Sequence, residues 1–172
     1  MKLLRECLGA LREQLAEWDE DCRDEDNEDE ITHEQAFREL FSGVFTADYD
    51  GAPYGSAFEA LCRCLGRMLP NASFAPCRLE WFEQLDGYLE SERVPLRLSD
   101  LIFRPPIEIP RPGEQPLIGH WTHADIVEAV GPLANVAATA SDPDVAEALT
   151  MVADWCRVLT KSPGRMIVGF FA

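Results

Sequence analysis

His120, His123 and Asp125 fall within six residues and form the densest group of metal-ligating or acid–base side chains in the chain. Imidazoles and a carboxylate at this spacing would suit a metal-dependent hydrolase, with the three acting as ligands or as proton donors and acceptors. Local spacing supplies no fourth ligand, and a histidine at a helix start commonly caps or packs. His33-Glu34 opens like the zinc-protease HExxH helix, but Phe37 stands where the second histidine is required. Thr46, Asp48, Asp50 and Gly51 echo a calcium loop, yet Thr46 replaces its first carboxylate and Ala57 its bidentate glutamate. Cys62-Arg63-Cys64 lacks the CxxC spacing of zinc ribbons. The sequence contains no GxxxxGK[ST], GxGxxG or GxSxG, so no phosphate cradle, dinucleotide turn or nucleophile elbow is expected. The expectation is therefore no catalytic residue, no metal and no cofactor.

What the chain does carry is charge. Against 15 Lys and Arg stand 31 Asp and Glu, giving a net charge of -16 in 172 residues. Such a surface argues against nucleic acid or an anionic membrane as partner and favours a basic protein. Residues 17–30 hold ten acids and one base, Arg23, which leaves 21 acids against 14 bases elsewhere. Like charges three and four apart oppose a helix there, so an acidic linker over 17–31, a solvated loop or a frayed helix end, is expected. Asp19, Glu20, Asp21, Asp24, Glu25 and Asp26 would steer a basic partner, with Trp18, Tyr49 and Tyr54 as aromatic anchors.

Apolar periodicity supplies the elements that must position these groups. Leu4, Leu8, Leu11, Leu15 and Trp18 predict an amphipathic helix, given the boundary 1–16. Its charged residues Arg5, Glu6, Arg12 and Glu13 also interrupt any apolar export signal. Thr32 and Gln35 have the form of a capping box for a second helix. A third helix, with Tyr54, Ala57, Phe58, Leu61, Cys62, Leu65, Met68 and Leu69 on one stripe, is expected at the centre, between the second helix and a fourth that carries Trp81, Phe82, Leu85 and Leu89. Six of the twelve prolines lie between Pro95 and Pro116, predicting an extended crossover with at most a short turn at Ser99 to Ile102. Thr122, and Ser141 or Asp142 followed by Pro143, start two further helices, and the β-formers of Arg165 to Phe171 predict a terminal strand. The cysteines among apolar residues read as reduced thiols of a cytoplasmic protein.

Tyr54-Gly55, Ala57 to Cys62, Leu69-Pro70-Asn71, Trp81-Phe82-Glu83 and Ile118-Gly119-His120 carry a resemblance to a bacterial, largely actinobacterial, family of unknown function, over roughly residues 30–172. The resemblance implies a small cytosolic bacterial protein with no assigned activity, and it transfers no functional residue.

The expected architecture is mainly α, a single helical domain of about six helices, counting the N-terminal one, with the proline-rich crossover and a short C-terminal strand, its helical part after the acidic linker covering residues 32–172. The expected function is an acidic binding module, an immunity or antitoxin-like inhibitor that occludes a basic partner such as a toxin nuclease. A small hydrolase built on His120, His123 and Asp125 is the alternative, and a structural subunit pairing through its terminal strand is a third. The sequence leaves the oligomeric state open.

Overall fold

In the first part of the chain, helix boundaries follow local chemistry. The Thr32 hydroxyl accepts from the backbone N–H of Gln35, and Gly43, at φ 68°, takes the left-handed conformation that ends α2 (His33–Ser42). α1 spans Lys2–Asp21. It therefore runs past the expected boundary at residue 16, and Glu17 to Asp21 are helix where a loop was expected. α3 covers Ala52–Leu65, with a proline in its first turn, and stops at the extended Gly66. This is the computed structural model of the chain, and it describes residues 2–21, 31–46, 51–75, 78–110 and 116–171.

Two compact units divide the chain, Met1–Met68 with Ile107–Leu117 in the first and Leu69–Pro106 with Ile118–Phe171 in the second. In the first, Leu11 and Leu15 of α1 pack with Ala36 and Phe37 of α2 and with Tyr54, Ala57 and Ala60 of α3; Trp18, Leu40, Phe45 and Leu61 flank this core. The expected stripe on α3 is corrected in two ways. Its buried face is the one with small residues, Ala57 and Ala60, which let α1 and α2 approach closely. Phe58, Leu61 and Cys62 are only half-buried, while Leu65 and Met68 are 56% and 65% exposed. α3 also shares its unit with α1 and α2, whereas the fourth helix belongs to the second unit.

The second unit contains a 3₁₀ turn (Ala72–Phe74), α4 (Leu79–Ser91), α5 (Asp100–Phe103), β1 (Leu117–Trp121), α6 (His123–Thr139), α7 (Pro143–Thr160) and β2 (Ile167–Phe171). Pairing of α6 with α7 is its main packing, through Ile126, Leu133 and Val136 on one side and Leu149, Val152 and Cys156 on the other. Phe74 sits between Phe82 and Trp155, with ring centroids 5.5 Å apart in each pair. The Trp155 indole N–H donates to the carbonyl of Pro70 at 2.8 Å. The chain is thus mainly α, as expected, with seven α-helices among the described residues and the predicted terminal strand in place. β1, its partner in a two-stranded sheet, was not expected.

The short helix α5 rests on that sheet, and two glycines make this possible. A Cβ on Gly119, central in β1, would lie 2.0 Å from the carbonyl oxygen of Asp100, and one on Gly169, central in β2, would lie 2.3 Å from that of Leu101. No real Cβ occupies such space, so each strand needs glycine where the α5 backbone crosses it. From α4, the buried Asp86 carboxylate accepts the N–H groups of Leu98 at 2.5 Å and Ser99 at 3.2 Å, fixing the approach to α5.

Gly119→Ala is expected to lower stability by about 1–3 kcal/mol or more through overpacking. Gly87→Ala, mid-α4 with nothing within 4 Å of the added Cβ, is expected to gain about 0.5–1 kcal/mol. Denaturant midpoints check both, and a Gly119→Ala midpoint equal to that of the parent chain would show that α5 does not lie this close.

Candidate functional site

The strand β1 and the start of α6 deliver His120, His123 and Asp125 to one region, but each side chain is engaged separately. His120 Nδ1 donates to the carbonyl of Arg104 at 2.7 Å. His123 Nε2 lies 3.3 Å from the carbonyl of Thr160 at the end of α7. Asp125 completes a capping box with Thr122, accepting from the Thr122 N–H at 2.7 Å and hydroxyl at 2.8 Å, and it also accepts from Arg104 Nη1 at 3.0 Å. Burial alone would raise the Asp125 pKa; the bonds from Thr122 and the Arg104 charge outweigh it and bring the pKa below the usual value. Among the described residues no group of three or more His, Cys, Asp or Glu is placed to hold a metal. The arrangement fastens the α5 segment and closes two helix ends; it does not converge on a reacting atom.

Among the described residues the thiols offer no nucleophile either. Cys62 and Cys156 are free. Burial raises both, Cys62 to about 11 with help from Glu59, and Cys156 to about 12 against the opposing charge of Arg157. Both are protonated at neutral pH. Cys64 is disulfide-bonded, which corrects the expectation that it is reduced. Cys62 and Cys64, two positions apart on α3, face different surroundings.

The acidic side of the first unit also divides by environment. Asp19 is partly buried: its Oδ1 accepts the His33 N–H at 2.6 Å and lies 2.8 Å from His33 Nδ1, while Oδ2 accepts the Glu34 N–H at 3.2 Å. A carboxylate that satisfies the open N–H groups of α2 also complements the helix dipole. Trp18 packs against the core and presents its ring edge-on to His33, with centroids 5.8 Å apart. Tyr54 is fully buried, and its hydroxyl donates to Glu39 Oε2 at 2.5 Å. Asp19 and Tyr54 are thus both engaged within the fold, Tyr54 wholly away from solvent. Glu20 is exposed as expected; the side chain of Asp21, and the whole of Asp24, Glu25, Asp26 and Tyr49, lie outside the described residues.

Two residues join Glu20 that the sequence reading did not select. Glu13 and Glu17 are exposed, and with Glu20 they follow the spacing of four and three that keeps residues on one helix face, opposite the buried Leu11 and Leu15. That spacing was present in the sequence, but the compositional count of the run obscured it. Five arginines among the described residues pair with other carboxylates, with side chains largely exposed: Arg38 with Glu34, Arg63 with Glu59, Arg97 with Asp86, Arg104 with Asp100 and Asp125, and Arg157 with Asp154.

Glu39 is a second fastening carboxylate. Partial burial would raise its pKa, but hydrogen bonds from Tyr54, Gln35 and both the hydroxyl and N–H of Thr46 bring it down to about 2 from 4.5. A depressed folded pKa adds stability that is complete above the unfolded value and is lost as pH falls from about 4.5 toward about 2. Glu39→Gln is therefore expected to flatten the acid limb of the stability curve in that window. Asp19→Ala is expected to cost about 0.5–2 kcal/mol at neutral pH, the usual loss of a cap. The triple Glu13→Gln, Glu17→Gln, Glu20→Gln variant is expected to stay within about 0.5 kcal/mol per site. Urea midpoints at several pH values check all three.

No helix among the described residues is long and apolar enough to cross a membrane. Neither a curated protein nor a solved structure matches the chain. A family model does match, over residues 1–172, and its description is a domain of unknown function, DUF7691. The match extends beyond the resemblance seen from residue 30 onward and takes in α1 with its acidic face, so this chain belongs, across its whole length, to the DUF7691 family.

Proposed function

We propose that this chain is an acidic protein-binding module that works as an immunity or antitoxin-like inhibitor, covering the basic surface of a partner such as a toxin nuclease. The observation that supports it most is the outward face of α1, where Glu13, Glu17 and Glu20 stand exposed on one side of the helix. A net charge of -16 surrounds that face with a field of one sign. Such a field attracts a basic protein and speeds encounter by roughly 10–10³-fold. The carboxylates would stand in for substrate phosphates and block the partner by occlusion. The reading places the protein in the cytoplasm, where a disulfide such as that of Cys64 is uncommon, so fractionation of native cells belongs to its test.

The decisive experiment begins with the reading frames beside the gene. One of them is expected to encode a basic protein that arrests growth or cleaves nucleic acid, and co-expression of this chain is expected to relieve the effect. Association of the purified pair should slow as salt rises from about 50 to about 300 mM. The triple Glu13→Gln, Glu17→Gln, Glu20→Gln variant should associate more slowly at low salt and show a flatter salt dependence, with a smaller effect on dissociation. Relief of no neighbouring product, or identical association rates for the two forms across that range, would overturn the reading.

A further inference from the structure

The second unit carries a groove that the reading above does not use. Gly131, Pro132, Asn135, Val136 and Thr139 of α6 line it together with Glu92, the residue that ends α4. Its volume, about 600 Å³, exceeds what one side chain fills. It lies open to solvent, so a side chain carried by a partner can enter it.

We infer that this groove seats an arginine-bearing segment of the basic partner; the inference rests on the proposed reading that such a partner exists. The chemistry of the walls selects the occupant. Val136 is buried and Pro132 presents its ring, giving an apolar floor for the methylene stem of a long side chain. Glu92 is exposed and places a carboxylate on the wall, where a planar guanidinium can be held by two parallel hydrogen bonds. Pro132 lies inside α6 and offers no N–H of its own to the groove. Asn135 adds an amide that can accept or donate. Arg93, next to Glu92, is not among the lining residues. The groove thus combines an amide and a carboxylate with an apolar base, the complement of an arginine.

Gly131 offers a way to fill the groove. Apart from its chain neighbours a Cβ there meets nothing within 4 Å, so Gly131→Leu occupies the groove. Because a side chain before Pro132 opposes helical backbone, its helix content is checked by circular dichroism, and Glu92→Gln tests the site without touching the helix interior. The probe is the tripeptide acetyl-Ala-Arg-Ala-amide, titrated into the full chain and followed by the backbone amide resonances of Gly131, Asn135 and Thr139. Saturable shifts at these positions are expected. Glu92→Gln should weaken binding at least about threefold, and Gly131→Leu, measured where its helical signal matches that of the parent chain, about tenfold or more. The matched glutamate tripeptide should produce no shifts. Shifts located elsewhere, no shifts at all, or equal affinity for the parent and Gly131→Leu would overturn the inference. The growth assay separates the two proposals: relief by Gly131→Leu as complete as by the parent chain removes the groove and leaves the inhibitor, whereas peptide binding with no relief of any neighbouring product removes the inhibitor.

Discussion

The contact on which the second unit depends most is the close approach of the α5 backbone to the two central glycines of its sheet. Gly119 and Gly169 leave space that Asp100 and Leu101 fill with peptide groups, and a sheet of only two short strands has little stability without such a cover. The flanking residues are then tied from several directions. Asp86 takes the N–H groups of Leu98 and Ser99, Trp121 donates to the carbonyl of Arg97, His120 to that of Arg104, and Asp125 holds the Arg104 side chain. Of the side chains that resemble a catalytic set in the sequence, His120 and Asp125 fasten this segment, while His123 lies against the end of α7.

The first unit uses carboxylates in the same way. Asp19 closes the N-terminus of α2, and Glu39 gathers Thr46 and Tyr54 around the end of that helix. Negative charge in this family member therefore has two physical roles: a few carboxylates satisfy backbone or hydroxyl donors, and the larger remainder faces outward.

Local signals in the sequence identified the elements well where one residue decides the outcome. Thr32, Thr122 and Asp142 cap α2, α6 and α7 through side-chain oxygens, and the terminal strand follows from its run of β-formers. Other features depend on tertiary contacts and left no local trace. β1 is five residues with glycine and histidine at its centre, and it is a strand because β2 pairs with it and α5 covers it. The buried face of α3 is set by alanines that admit close neighbours, whereas a hydropathy pattern favours the larger Phe58 and Leu65. Composition marked Asp19 and Tyr54 as exposed partners; which oxygens they meet across some fifteen residues of chain is decided by the packing of three helices. The outward face of α1 was legible from spacing, and the groove on α6 was not, because one wall comes from the end of α4.

The two populations of carboxylate respond differently to acid. The chain reaches zero net charge near pH 4.4, while the Glu39 carboxylate, with a pKa of about 2, is still largely ionised and bound to its donors. Mutual repulsion between molecules therefore disappears before this part of the fold loosens. Acidification leads first to association of folded molecules, a colloidal change that neutralisation reverses, and only at lower pH to exposure of the core.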